Sequence, residues 1–164
     1  MKRVRVRIAT IFFGVLVALT GAVQPAGAAD LNNAWLQNLH TGKCLLARGG
    51  ADHELAVQYQ CLPYADQKWT LVEKGNGQFQ IRNVNSGKCL LVFGTGNEAA
   101  AIQFTCLDYA DQYWRFNDYP GRPDWFWVQN VNSGKCLLAR GGDNTQLVQY
   151  DCLEYVDQAW GLYI

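Results

Sequence analysis

The sequence predicts an all-β protein, a closed or nearly closed barrel made of three four-stranded repeats. Three observations predict it. Asp-Gln-x-Trp occurs as Asp66-Gln67-Lys68-Trp69, Asp111-Gln112-Tyr113-Trp114 and Asp157-Gln158-Ala159-Trp160, followed two residues later by Leu71, Phe116 or Leu162. Trp inward, one residue outward and an apolar residue inward is the period of a strand with one buried face. Six cysteines fall as three pairs, spaced by 17, 17 and 16 residues. Trp35 to Cys44, Gln80 to Cys89 and Trp127 to Cys136 align without gaps, in units of about 46 residues that show no helical periodicity. Many short strands leave edges that need partners, and closure supplies them.

At the start of the chain, Lys2, Arg3, Arg5 and Arg7 precede an apolar run from Ile8 to about Val23, and Ala26-Gly27-Ala28 supplies small residues. Residues 1–29 therefore read as a secretory signal peptide cleaved near Ala28 or Ala29. A retained anchor is disfavoured, because the run falls short of the roughly 20 apolar residues that a spanning helix needs. Cleavage removes four of the 14 Lys and Arg and none of the 14 Asp and Glu, leaving residues 30–164 at a formal charge of −4. That sign speaks against a nucleic-acid partner. The remaining 135 residues suit one domain with a real core, expected to be a secreted, extracellular monomer with no membrane span.

The repeats are expected at about 33–75, 78–119 and 125–164. In each first strand Leu36, Ile81 or Val128 alternates with polar neighbours. A turn follows in which Gly42, Gly87 or Gly134 can take positive φ, and Cys-Leu-Leu then begins the second strand. Polar or glycine-containing loops run from Gly49 to Glu54, Gly94 to Glu98 and Gly141 to Gln146. The third strands are Val57 to Tyr59, Ile102 to Phe104 and Val148 to Tyr150, and the fourth carry Gln-x-Trp. Gly75-Asn76-Gly77 and Pro120-Gly121-Arg122-Pro123 end one unit and begin the next.

Six cysteines allow 15 pairings in principle, and the pairing that treats all units alike is Cys44–Cys61, Cys89–Cys106 and Cys136–Cys152. Exported chains favour such disulfides. A zinc site is a weaker reading, since there is no Cys-x-x-Cys pair and the only histidines are His40 and His53.

Asn-x-x-Ser-Gly-Lys-Cys-Leu or a close variant, a second cysteine about 17 residues on, and Gln-x-Trp, three times over, resemble the ricin B-chain-like lectin family. The resemblance covers residues 30–164. It implies a β-trefoil, with twelve strands as a six-stranded barrel capped by three hairpins about a pseudo-threefold axis, and it matches the pairing of cysteines within repeats. It also implies up to three shallow sugar pockets. Each would use an Asp two residues after the first cysteine, an aromatic two residues before the second, and an Asn before Gln-x-Trp. The aromatic is present as Tyr59, Phe104 and Tyr150. The first position departs from the family, holding Leu46, Leu91 and Leu138, while the Asn position holds Asp66, Asp111 and Asp157. Loss of a charge-assisted hydrogen bond is worth about 1.5–3 kcal/mol, so sugar recognition needs Asp66, Asp111 and Asp157 to take over the hydroxyls. The competing reading makes these carboxylates acceptors for backbone N–H groups of their own turn.

Gln58, Gln103 and Gln149 directly precede the aromatics, and Tyr64, Tyr109 and Tyr155 recur as candidate second rings. Arg48 and Arg140 match between two units where Phe93 stands in the middle one, so the pockets need not be equivalent. No Ser, His and Asp set, glycosidase carboxylate pair or phosphate loop stands apart from the repeat, which argues against an enzyme and calls for no cofactor or metal. The expected function is a secreted carbohydrate-binding module. The alternative is a trefoil that has lost sugar binding and serves as an extracellular protein-binding or structural domain.

Overall fold

The computed structural model describes residues 30–164; the signal-peptide reading falls on residues outside that range. Twelve strands follow in order: β1 (Leu31–Asn38), β2 (Cys44–Ala47), β3 (Ala56–Tyr59), β4 (Trp69–Gly75), β5 (Gln78–Asn83), β6 (Cys89–Val92), β7 (Ala101–Phe104), β8 (Tyr113–Asp118), β9 (Trp125–Asn130), β10 (Cys136–Leu138), β11 (Val148–Tyr150) and β12 (Ala159–Tyr163). Antiparallel pairing runs β1–β4–β5–β8–β9–β12 and returns to β1, which closes a six-stranded barrel. The hairpins β2–β3, β6–β7 and β10–β11 join the barrel through Gln37 opposite Cys44, Arg82 opposite Cys89 and Gln129 opposite Cys136. Bridges at Leu55–Ile102, Val57–Gln146 and Ala100–Val148 tie the three hairpins to one another. The fold is a β-trefoil.

The alternation read from the sequence builds the core. Trp69, Trp114 and Trp160 are fully buried together with Leu36, Ile81, Val128, Leu71, Phe116 and Leu162. An indole brings a large apolar area and one donor that needs a partner. Each finds it in its own repeat, donating to the carbonyl of Leu45 at 3.0 Å, Leu90 at 2.9 Å or Leu137 at 2.9 Å.

The glutamine before each Trp departs from the sequence expectation of a place on the fourth strand. It ends a one-turn 3-10 helix, Ala65–Gln67, Ala110–Gln112 or Val156–Gln158. The cause is a buried clamp: Gln67 donates to the carbonyl of Gln60 at 3.0 Å and accepts from the Leu62 N–H at 2.8 Å. Gln112 and Gln158 do the same with Thr105 and Leu107, and with Asp151 and Leu153. The side chain must fold back on the chain leaving the second cysteine, so the ladder begins only beyond it.

The three disulfides are those the repeat favours, Cys44–Cys61, Cys89–Cys106 and Cys136–Cys152, each with a Cα separation of 5.0 Å. The turn after each first strand is held by an asparagine whose Oδ1 accepts two backbone N–H groups, from His40 and Thr41 for Asn38. Its Nδ2 crosses to another repeat: Asn38 donates to the carbonyl of Asp157, Asn83 to Asp66 and Asn130 to Asp111, at 2.7–2.9 Å. Gln58, Gln103 and Gln149 cross in the same cyclic fashion. Each accepts from Thr41, Ser86 or Ser133 of its own turn and donates to carbonyls in the Gly-rich loop of another repeat.

Candidate functional site

Tyr59, Phe104 and Tyr150 end the third strand of each repeat, opposite Cys44, Cys89 and Cys136, and are half-buried on the side away from the core. Each ring meets one residue of its own repeat, and the loop of another repeat brings a residue that contacts that neighbour or the ring itself. Arg48 lies over Tyr59, with its guanidinium carbon 5.2 Å from the ring centre and Nη1 donating to Asn144 Oδ1 at 2.5 Å. Arg140 lies over Tyr150 at 5.5 Å and pairs with Glu98 at 3.0 Å. Phe104 instead packs edge-on against Phe93 and His53, with centroids 6.0 and 5.0 Å away. His53, Glu98 and Asn144 hold equivalent positions in their loops, with φ of 70°, 64° and 62°. Left-handed backbone is uncommon for a glutamate, and at Glu98, as at His53, it aims the side chain across the repeat boundary.

Asp66, Asp111 and Asp157 lie in the 3-10 turns, and none of these turns has a side-chain cap. Oδ1 of each carboxylate is buried without a hydrogen-bond partner. The turn-acceptor reading thus finds no hydrogen bond behind it. Beneath each turn runs the second strand of the same repeat, whose Leu46, Leu91 or Leu138 is also buried. Leucine at the family's Asp position belongs to the packing under the turn and not to an open cleft.

In the third repeat Arg140 bridges the predicted pair, lying over Tyr150 while its Nε donates to Asp157 Oδ2 at 3.3 Å. Burial disfavours the Arg140 cation, but hydrogen bonds to Glu98 and Asp157 outweigh it and raise its pKa above the ordinary guanidinium value. In the first repeat no ion pair joins Arg48 to Asp66 among the described residues, and in the middle one Phe104 meets the rings of Phe93 and His53. Tyr64, Tyr109 and Tyr155 stand 62–64% exposed just ahead of the Asp turns, placed as rim rings. A polar groove of about 460 Å³ beside Asp30, Asn33, Thr70 and Arg82 lies elsewhere, and none of the six predicted residues lines it. Among the described residues no group of His, Cys, Asp or Glu is set to hold a metal, and no helix is long and apolar enough to cross a membrane.

Sequence reasoning missed His53, Glu98 and Asn144. Their loops follow Gly49, Gly94 and Gly141, which recur, but the three side chains differ and act on a repeat other than their own.

The family described as ricin-type beta-trefoil lectin domain-like matches residues 25–104 and 110–163. No curated protein matches the sequence. Among solved structures, the chain is similar to the designed threefold-symmetric protein ThreeFoil, at 28% identity over 79% of this chain and 96% of that one, with a TM-score of 0.75. It is similar to the exo-beta-1,3-galactanase 1,3Gal43A from Clostridium thermocellum at 25% identity and TM-score 0.73, over 80% of this chain but only 30% of that enzyme. SeviL, solved bound to asialo-GM1 saccharide, shares 20% identity over 80% of this chain and 96% of its own, with a TM-score of 0.66, and supports the fold alone.

Proposed function

Because the chain belongs to the ricin-type β-trefoil lectin domain-like family, we propose that it is a secreted carbohydrate-binding module with up to three shallow sugar sites, one per repeat. The observation that carries this reading is a pair of features that recurs in every repeat: a half-buried aromatic at the end of the third strand, and a 3-10 turn whose Asp makes no hydrogen bond to that turn. A buried acceptor without a partner costs about 1–3 kcal/mol, and three such groups in register are poorly accounted for by stability. An apolar sugar face packs against the exposed part of Tyr59, Phe104 or Tyr150, while the outer oxygens of Asp66 and Asp111, and that of Asp157 beside its bond from Arg140, accept from hydroxyls. The module acts by binding and not by catalysis, and it works as a monomer on glycans with no role for nucleic acid. Weak sites on one molecule combine on a polymeric glycan. Three disulfides fit an extracellular setting.

The test is a glycan array probed with the oxidised protein beside Tyr59→Ala, Phe104→Ala and Tyr150→Ala, with folding checked by unfolding midpoints. Binding should fall stepwise as the aromatics are removed. Absence of binding at high protein concentration would overturn the reading in favour of a protein-binding or structural trefoil.

A further inference from the structure

The three clefts are alike in backbone and unlike in charge. In the third, Arg140 is neutralised by two carboxylates, Glu98 at 3.0 Å and Asp157 at 3.3 Å. The middle cleft has Phe93 and His53 in place of the arginine and the acid. In the first, Arg48 has the place of Arg140, but its loop neighbour is the neutral Asn144. No carboxylate pairs with Arg48 among the described residues. Asp143, the nearest acid in the sequence of that loop, is taken by Lys43 at 2.6 Å and by the N–H of Gln60.

Arg48 is therefore a guanidinium fixed from two sides, by the face of Tyr59 and by the oxygen of Asn144, with donors left over and no anion to receive them. A guanidinium offers five N–H donors in a planar fork, and Asn144 uses one. The group that complements such a fork is a planar carboxylate, bound through two parallel hydrogen bonds.

We propose that the cleft of the first repeat is selective for an acidic sugar, whose hexuronate carboxylate or other anionic substituent pairs with the free side of the Arg48 guanidinium. This rests on the carbohydrate-binding reading above and adds the ligand class for one of its sites. Asn144 is the determinant that distinguishes this cleft from the third, since the equivalent Glu98 supplies from within the protein the anion that a ligand would bring.

The experiment compares trigalacturonate with its carboxyl-reduced, uncharged counterpart by calorimetric titration at low salt, on the native protein and on Arg48→Gln and Asn144→Glu. Asn144→Glu copies the third cleft at a position where the fold already tolerates glutamate at positive φ. The native protein should bind the acidic trisaccharide about tenfold more tightly, the effect of an exposed charge-assisted pair, and the ratio should shrink as salt is raised. Both variants should bring the ratio close to one. A sulfated neutral trisaccharide bound as well as the uronate would assign the cleft to anions in general, and weaker binding would assign it to carboxylates. A ratio near one in the native protein, or a preference that survives in both variants, overturns the inference and leaves the carbohydrate reading standing. Binding to none of these sugars overturns the inference, and the glycan array decides the carbohydrate reading separately.

Discussion

At Asp66, Asp111 and Asp157 stability and recognition pull apart, and substitution separates them. Replacing Asp66 or Asp111 by Asn removes a carboxylate whose buried oxygen has no partner. The unfolding free energy is expected to hold or to rise, by up to about 1 kcal/mol, while sugar affinity falls roughly tenfold. Urea denaturation and glycan titration on the same preparations check both halves, and an unchanged affinity would return these residues to a scaffold role. Trp114 is the opposite case, with no exposure and its one donor bound to Leu90. Trp114→Ala should lose about 3–5 kcal/mol on denaturation. The Trp residues were legible in the sequence because they recur unchanged and point inward. The role of Asn144 was not, because its contact is made across a repeat boundary and its counterparts are a histidine and a glutamate.

Among the elements, the 3-10 turn and the Gly-rich loop decide where the clefts lie. The third strands fall within a residue of their expected bounds and the Gly42, Gly87 and Gly134 turns take positive φ as expected, while β1 starts at Leu31, ahead of the Trp35 from which the repeats align. The sequence put Gln67, Gln112 and Gln158 on strands, because Gln-x-Trp matches a period of two whether or not its first residue has joined the ladder. Only the clamp on the backbone, a three-dimensional fact, sets them in turns. Gln103 shows how tightly the loops are held: it accepts from Ser86 and donates toward the carbonyls of Arg48 and Ala51. Gln103→Ala strands these groups inside the protein. The loss should be about 1–3 kcal/mol, with faster amide exchange in the Arg48 to His53 loop that frames the first and middle clefts.

For the whole molecule, ion pairs lace the hairpin cap together. The hydrogen bond from Lys88 holds the Asp52 carboxyl below its usual range, against a smaller opposing effect of burial, and Thr105 adds to it. Asn97 and then Lys135 do the same for Asp151. A carboxyl depressed in the folded state contributes in full above its unfolded value near pH 4, and that contribution is lost as the pH falls through the folded value. Midpoints of unfolding should therefore be flat from pH 7 to pH 5 and drop towards pH 3. Reduction of the disulfides should lower stability by about 3 kcal/mol for each loop of this size, read as a shift of the urea midpoint with and without reductant. The closed pairing of β1 with β12, with Trp35 opposite Tyr163, has one more consequence. A ring of strands has no structural first member. A chain cut between Asn76 and Gly77, with Ile164 joined to Leu31 by a short glycine-rich link, should still find every register and re-form all three disulfides. Where translation starts and where folding starts are separate matters in this architecture.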